Sequence, residues 1–243
     1  MTQYYVGTSG WHYEHWKGRF YPGSLPKSRW LEFYSGKYIT VELNNSFYRL
    51  PTVETFTKWK NTVPEGFKFA IKVSRFITHI KRLKEVEEPL SKFLSHADYL
   101  DDKLGPLLYQ LPPNMKYDYH LLERFLSTLP QHYSHIFEFR HKSWMQDDIF
   151  KLLMKYHVGF CVFDMPDFTC PIVATGDTGY IRFHGNQGLY SSFYSDEDLD
   201  IWVRRIREMR GDLSEVYIYF NNDAEAYAVF NAATIRRMLA GIL

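Results

Sequence analysis

The chain has 243 residues, of which 45% are hydrophobic and 23% are charged, a composition typical of a folded globular protein and not of a disordered one. Its 29 basic and 28 acidic residues leave a net charge of +1, which excludes a strong overall field that would attract nucleic acid or a membrane. The length is close to the roughly 250 residues of one (β/α)8 domain. We therefore expect a single domain over residues 1–243.

Nothing in the sequence indicates export or a membrane span. The first four residues, Met1-Thr2-Gln3-Tyr4, do not begin a basic stretch followed by an apolar one, and no apolar run reaches the length of a spanning helix. Cys161 and Cys170 are the only cysteines, and they lack the CxxC spacing of a metal or redox site. We therefore expect a cytoplasmic protein with two free thiols and no membrane partner. The oligomeric state stays open.

The predicted elements alternate along the chain between short β-branched or aromatic strands and segments of helical period. The strands are predicted at 4–8, 39–43, 67–73, 106–111, 135–140, 159–164, 179–184 and 215–220. Helices are predicted after each strand, with Thr52, Asp118 and Ser195 at the starts of three of them. Eight such units predict the α/β class, as a TIM-barrel-like (β/α)8 domain with a closed parallel barrel. An open doubly wound sheet is less favoured, because no glycine-rich phosphate loop follows the first strand.

Polar residues interrupt the predicted strands at or near their C-terminal ends. Fully buried parallel strands are expected to be almost entirely apolar, so these interruptions need a reason. Side chains alternate across a strand, which gives a common face to the pairs Glu42/Asn44, Glu138/Arg140 and Arg182/His184; the other strand-end polar residues are Lys72, Gln110, Asp164 and Asn221. Catalytic and binding groups of such barrels lie at the C-terminal mouth, so the sequence predicts a functional site there.

A purely structural role for these charged side chains is the alternative. Arginines, a lysine and carboxylates in equal measure would form a neutralised layer of ion pairs that plugs the barrel. The desolvation of such a layer can exceed its Coulombic gain, and Leu or Val would serve stability as well. We therefore favour a functional mouth.

Aromatic residues make up 18% of the chain, and several lie in the predicted loops at this mouth. Trp11, Tyr48, Trp144 and Tyr190 follow the first, second, fifth and seventh strands. One aromatic loop residue is more often packing than recognition, but several together are able to stack a ring, a sugar or a base. We expect these four side chains to contact the ligand.

Several blocks of the sequence resemble those of a known family. They are Gly7-Thr8-Ser9-Gly10-Trp11, Val41-Glu42-Leu43-Asn44-Asn45-Ser46-Phe47-Tyr48, Thr78-His79, Leu104-Gly105-Pro106-Leu107-Leu108-Tyr109-Gln110-Leu111-Pro112-Pro113, Glu138-Phe139-Arg140-His141-Lys142-Ser143-Trp144, Arg182-Phe183-His184-Gly185 and Tyr219-Phe220-Asn221-Asn222-Asp223. In this order, and over nearly the whole chain, they resemble the DUF72 (YecE-like) family of uncharacterised proteins. The resemblance implies a TIM-barrel-like fold and a set of signature residues, and it does not imply a reaction.

The first functional hypothesis is a hydrolase-type enzyme that acts on a small polar or anionic substrate without a metal or cofactor. Arg140 and Arg182 would clamp a phosphate or carboxylate, which planar guanidinium groups do well. Desolvated Lys72 would bind the anion or act as a nucleophile. The candidates for acid and base catalysis are Glu42, Glu138, Asp164 and His184, and further substrate contacts are expected from Asn44, Gln110 and Asn221.

The second hypothesis is a metal-dependent phosphodiesterase resembling endonuclease IV, another TIM-barrel enzyme. Glu42, Glu138, Asp164 and His184 would supply oxygen and nitrogen ligands suited to Mn or Zn. The arginines and the lysine at the same mouth would repel a cation, and neither an HxH nor an HExxH pair occurs. We therefore predict no metal.

The third hypothesis is a non-catalytic protein that binds a nucleotide or single-stranded nucleic acid. Lys81-Arg82-Leu83-Lys84 and Arg204-Arg205-Ile206-Arg207 offer local positive charge. Aromatic and basic side chains together suit a single strand. A net charge near zero makes nucleic acid less favoured than a small anionic ligand.

Overall fold

Eight parallel strands form a barrel in the computed structural model, which describes residues 2–209 and 213–241. The strands are β1 (Gln3–Thr8), β2 (Thr40–Leu43), β3 (Lys68–Lys72), β4 (Leu104–Gln110), β5 (His135–Glu138), β6 (Gly159–Asp164), β7 (Thr178–Phe183) and β8 (Glu215–Phe220). Their order around the sheet is β1-β8-β7-β6-β5-β4-β3-β2, so strands that are consecutive in sequence lie side by side. The predicted TIM-barrel-like α/β fold is confirmed.

Helices cover the outside of the barrel and follow seven of the eight strands, whereas the described connection from β6 to β7 contains none. They are α1 (Trp30–Ser35), α2 (Asn45–Tyr48), α3 (Val53–Thr62), α4 (Glu87–Ala97), α5 (Tyr119–Leu126), α6 (Asp147–Lys155), α7 (Asp196–Met209) and α8 (Tyr227–Leu239). The three predicted helix starts are confirmed: Thr52 accepts the N–H of Thr55 at 3.3 Å, Asp118 accepts that of Leu121 at 3.0 Å, and Ser195 accepts that of Asp198 at 3.1 Å. Within residues 2–209 and 213–241, no helix is long and apolar enough to cross a membrane.

The seam between β1 and β2 is held by a side chain instead of a ladder. In the described part of the chain, these two strands stand at the two ends of the hydrogen-bonded order. The Tyr34 hydroxyl accepts the N–H of Thr8 at 3.0 Å and donates to the carbonyl oxygen of Thr40 at 3.1 Å. Gly7 permits this approach, because a Cβ there would lie 2.3 Å from the Thr40 oxygen. The barrel is therefore nearly closed, with a tyrosine bridge where a ladder was expected.

The core has two layers, which follow from the alternation of side chains along each strand. Outward-facing residues such as Leu107 and Ile181 pack under the helices. Inward-facing residues fill the barrel itself: Ala70, Leu108, Ile136, Cys161, Tyr180, Tyr217 and Tyr219. Two positions further along their strands come Lys72, Gln110, Glu138 and Arg182. The inside of the barrel therefore changes from apolar to charged toward the C-terminal mouth.

Candidate functional site

A buried ion triad occupies the charged layer, with Arg182 between two carboxylates. Its Nη2 donates to Glu42 at 2.7 Å, and its Nη1 donates to Glu138 at 2.7 Å. The Arg182 side chain is only 1% exposed, and both carboxylates are fully buried. Arg182 therefore bridges two glutamates inside the barrel, and the expected role as a ligand clamp does not fit its position.

Glu42 has no oxygen left for a substrate. Besides Arg182, the hydroxyl of Ser9 donates to Oε1 at 2.7 Å, and the hydroxyl of Tyr180 donates to Oε2 at 2.7 Å. β2 positions the carboxylate, while the partners come from β7 and from the residue after β1. A general base needs an oxygen within reach of the proton that it removes. The contacts of Glu42 instead indicate a structural role in the charged layer.

Glu138 is equally engaged. Arg140 donates from Nε to its Oε1, and the thiol of Cys161 lies 3.8 Å from its Oε2. Burial raises the pKa of Glu138, but the guanidinium groups of Arg140 and Arg182 act in the opposite sense, and the pKa lies well below its ordinary value. This carboxylate is therefore ionised at neutral pH and accepts hydrogen bonds only from its protein partners.

Arg140 and His184 form a second pair beside the triad. The Arg140 Nη2 lies 2.7 Å from the Nε2 of His184, and a guanidinium only donates, so Nε2 is the accepting nitrogen. The proton then sits on Nδ1, 3.2 Å from the Nδ2 of Asn221, so this amide accepts it only with its oxygen and nitrogen exchanged. Burial, followed by the charges of Arg140 and Arg182, lowers the pKa of His184 to about 3. His184 is therefore a neutral orienting group, and it does not fit the expected general acid at neutral pH.

Arg140 keeps donors that the protein does not use. Its Nη1 lies 3.0 Å from the Sδ of Met165, and its guanidinium carbon lies 4.9 Å from the centroid of the Phe163 ring. A guanidinium has five N–H groups, and the partners found in the described residues account for three of them. Arg140 is thus able to hold an anion while it stays fixed by Glu138.

Lys72 ends β3 at the C-terminal mouth, and its amine lies 4.2 Å from the centroid of the Phe47 ring. Among residues 2–209 and 213–241, no hydrogen-bond partner of this amine is found. Burial, followed by the repulsion of Arg182, lowers the pKa of Lys72 to about 7, although Glu138 and Glu42 act in the opposite sense. A substantial fraction of this amine is therefore uncharged at neutral pH.

Asn44 and Gln110 flank the layer. Asn44 directly follows Leu43, which pairs with Ile71, so the register places it next to Lys72. The Oδ1 of Asn44 is buried and has no partner among the described residues. Gln110 Oε1 lies 3.5 Å from Nη1 of Arg182. The register therefore places the unpaired Oδ1 of Asn44 next to the position of Lys72, and this oxygen needs a hydrogen-bond donor.

Asp164 requires a correction, because it does not join the cluster. On β6, Cys161 faces the inside of the barrel, so the residues at 162 and 164 face outward. The carboxylate of Asp164 interacts with Tyr194 and Trp202, and burial raises its pKa. Its position at a strand end suggested the mouth, but the alternation of side chains decides the face.

The expected aromatic walls are only partly present. Trp144 is fully buried, stacks on Phe139 with centroids 4.8 Å apart, and donates to the carbonyl of Met115 at 2.7 Å. Trp11 is 8% exposed and packs edge-on against Trp59. These two residues stabilise the loops that carry them, and they are not open to a ligand.

Tyr48 and Tyr190, by contrast, remain accessible. Tyr48 is 80% exposed, and Tyr190 is 41% exposed with its ring edge-on to His184 at 5.6 Å. Tyr190 adopts a positive φ of 62°, which a non-glycine residue rarely does. They are the two aromatic candidates whose positions still fit contact with a ligand.

His79 and Phe47 are the site residues that the sequence reasoning undervalued. The His79 ring meets the Phe47 ring edge-on at 4.9 Å, so Phe47 contacts both His79 and Lys72. Burial, followed by the charge of Lys72, lowers the pKa of His79 to about 4. His79 lies in a π-helical turn (Phe76–Ile80), a form often found at functional sites. Its place directly after β3 was the signal available in the sequence.

The described residues do not form the expected ligand set of a metal. Among residues 2–209 and 213–241, no group of three or more His, Cys, Asp and Glu side chains is arranged to hold a metal ion. Glu42 and Glu138 are bonded to arginine, His184 accepts from Arg140, and Asp164 lies on the other face of its strand. The donor set of the phosphodiesterase hypothesis therefore does not converge.

The fold and the charged layer at its C-terminal mouth define a TIM-barrel-like protein. The chain belongs to the DUF72 family, because the model of this family, described as "Protein of unknown function DUF72", matches residues 5–242. The family membership that the sequence blocks suggested is confirmed.

Two relatives in sequence and one solved structure resemble this chain. The UPF0759 protein YunF of Bacillus subtilis (strain 168) is 26% identical over 97% of this chain and 94% of its own length. The UPF0759 protein YecE of Escherichia coli (strain K12) is 29% identical over 46% of this chain and 41% of its own length. The crystal structure of a DUF72 family protein from Thermotoga maritima is 30% identical, with a TM-score of 0.90 over 98% of this chain and 99% of that chain. These descriptions state no reaction, so the function has to be argued from the site.

Proposed function

We propose that this chain is an enzyme that binds a small anionic substrate at the C-terminal mouth and uses the amine of Lys72 in its chemistry. One observation carries the proposal: the Lys72 amine has no hydrogen-bond partner in the described part of the chain. The neighbouring charged groups Glu42, Glu138 and Arg182 are all engaged with one another. The Lys72 side chain is half-buried, so its amine is open at the mouth to water or to a ligand that completes its hydrogen bonds.

The balance of charge supports an anionic substrate. The carboxylates of Glu42 and Glu138 offset the guanidinium groups of Arg140 and Arg182, so a protonated Lys72 gives the layer one positive charge in excess. The unused N–H groups of Arg140 add directed donors at the same mouth. A phosphate or carboxylate group matches this combination of point charge and planar donors.

The Lys72 amine also replaces the carboxylates as the reactive group. In the hydrolytic hypothesis from the sequence, Glu42 or Glu138 acts as the general base. The oxygens of both carboxylates, however, accept hydrogen bonds from protein groups. A group is most effective in proton transfer when its pKa lies near the working pH. The pKa of Lys72, lowered to about 7, meets this condition.

Anion-dependent stabilisation tests the proposal. We expect inorganic phosphate or a small dicarboxylate to raise the unfolding midpoint above that found in chloride of equal ionic strength. A ligand at about a hundred times its dissociation constant stabilises by about 2.7 kcal/mol. Lys72→Met should lose the effect, whereas the matched variant Lys68→Met, at the other end of β3, should keep it. Equal stabilisation of the two variants would contradict the proposal.

Single-stranded nucleic acid is a second candidate ligand, favoured by the rim of the mouth. Phe76 is 42% exposed in the turn after β3, the exposed Arg75 and Arg82 lie in the same segment, and the exposed Tyr48 ends α2 after the neighbouring strand β2. Aromatic and basic side chains of this kind stack bases and track phosphates. Affinity for an oligonucleotide should then fall steeply with salt and weaken in Phe76→Ala. Salt-independent binding, or the absence of binding, would remove this candidate.

A further inference from the structure

We propose that Lys72 is a nucleophilic amine that condenses with the carbonyl carbon of a small keto acid or aldehyde acid, an inference that rests on the proposed function. It names both the substrate class and the bond that forms. The inference is carried by the placement of the amine, by the groups that surround it and by the free donors of Arg140.

The backbone of Lys72 is fixed, so its amine emerges from a defined point. The hydroxyl of Ser46 lies 2.8 Å from the carbonyl oxygen of Lys72 and 3.1 Å from that of Leu43, which ties the ends of β2 and β3 together. From there the side chain passes over the Phe47 ring, with Nζ 4.2 Å from its centroid. An aromatic face neither accepts a strong hydrogen bond nor blocks the nitrogen lone pair, and this leaves the amine open to an electrophile.

The surroundings favour the uncharged amine that nucleophilic attack requires. Burial and the charge of Arg182 lower the pKa of Lys72 to about 7. Compared with a lysine of ordinary pKa, near 10.4, this raises the uncharged fraction at neutral pH roughly a thousandfold. Lysines that form imines with carbonyl substrates are activated in this way, by desolvation and by a neighbouring cation.

The chemistry balances without an oxidant or a reductant. The lone pair of Nζ forms a bond to the carbonyl carbon, while the π pair of the carbonyl moves to its oxygen and gives a carbinolamine. One proton passes from the nitrogen to that oxygen, a second proton taken up from solvent converts the hydroxyl into a water that leaves, and the nitrogen lone pair then forms the double bond of a protonated imine.

A carboxylate on the substrate fits the remaining donors. Arg140 is held by Glu138 and His184 but keeps two N–H groups beyond its partners in the described residues. A substrate carboxylate bound there would leave the adjacent carbonyl to the amine. A 2-oxo acid is therefore a better match than a neutral aldehyde.

Reductive trapping tests the inference on the intact protein. The probes are pyruvate and glyoxylate, with cyanoborohydride as the added reductant that delivers hydride to an imine carbon. Intact mass spectrometry should show one added probe, and peptide mapping should place it on Lys72. We expect labelling of Lys72 at about pH 7 to be at least roughly tenfold faster than that of Lys68 on the same strand, since the gain in free amine exceeds the loss in basicity.

The comparison within the unmodified chain keeps the test valid even if a variant fails to fold. Lys72→Arg should abolish the fast adduct, and Lys68→Arg should retain it. Labelling of Lys72 no faster than that of Lys68 would overturn the inference. If anions stabilise the protein in a way that depends on Lys72, but no reduced adduct forms on Lys72, this inference is wrong and the proposed function stands. The absence of both effects would overturn the proposed function as well.

Discussion

Arg182 on β7 donates a hydrogen bond of 2.7 Å to Glu138 on β5, although β6 lies between these two strands. The same guanidinium donates at 2.7 Å to Glu42 on β2, on another side of the barrel. The ion network therefore crosses the inside of the barrel and joins strands that share no ladder. It fixes the charged layer from which Lys72 and Arg140 reach the mouth.

The first prediction concerns the buried ion triad of Arg182, Glu42 and Glu138. Arg182→Leu removes the only guanidinium shared by the two buried carboxylates, Glu42 and Glu138, in the described residues. An uncompensated buried charge typically costs about 3–5 kcal/mol, so the free energy of unfolding should fall by about that amount in a urea titration. The control is Arg204→Leu, which breaks an exposed pair with Asp200 on α7 and should change stability little. A similar decrease in the free energy of unfolding in the two variants would show that the buried ion triad does not stabilise the fold.

The second prediction concerns the stability of the protein in acid. The pKa of His184 is lowered to about 3 in the folded chain, against about 6.5 when unfolded, so the unfolded chain takes up this proton at a higher pH. His184 therefore makes its full contribution to the free energy of unfolding above about pH 6.5, and this contribution is lost as the pH falls toward 3. Between these limits, the unfolding free energy should fall by about 1.4 kcal/mol per pH unit from this residue.

His184→Gln isolates that contribution. Glutamine keeps an acceptor for Arg140 but does not titrate. Unfolding free energies measured by urea titration between about pH 4 and 6 should depend less steeply on pH in the variant, by about 1.4 kcal/mol per unit. The carboxylate of Glu138, whose pKa is lowered, adds its own loss of stability below about pH 4.5, where the unfolded carboxyl takes up a proton, and it does so equally in both proteins. An unchanged slope would mean that His184 is not held neutral.

The third prediction concerns the seam. Tyr34→Phe leaves the N–H of Thr8 and the carbonyl of Thr40 without their shared partner, and each unsatisfied buried group costs about 1–3 kcal/mol. Hydrogen exchange should accelerate in β1 and β2 ahead of the other strands. Tyr38→Phe is the matched control, because its hydroxyl donates only to the carbonyl of Val229. A larger loss in the Tyr38 variant would contradict the bridging role of Tyr34.

The sequence was informative wherever local rules decide the structure. The strand order, the caps Thr52 and Asp118, and the polar layer follow from hydrophobic pattern and side-chain alternation. Asp164 was misplaced because a position at a strand end was given more weight than alternation, although alternation alone predicts the outward face. The error was therefore avoidable.

Other features could not be predicted from the sequence, because they depend on which groups come into contact in the folded chain. The engagement of both Glu42 oxygens needs Tyr180, distant in sequence, and the burial of Trp144 needs the carbonyl of Met115. The free amine of Lys72 is defined by the absence of partners in the described structure, which a residue pattern does not reveal. The candidate site was thus located from the sequence, while the roles of its members had to be assigned from contacts.

The most direct test of the role proposed for Lys72 is the titration of its amine. NMR of the lysine side-chain methylene groups, assigned with Lys72→Met, should show that the Lys72 amine titrates near pH 7. Inorganic phosphate should move the Lys72 transition to higher pH, because a bound anion favours the charged amine. A Lys72 that titrates together with the surface lysines and does not respond to phosphate would contradict the account.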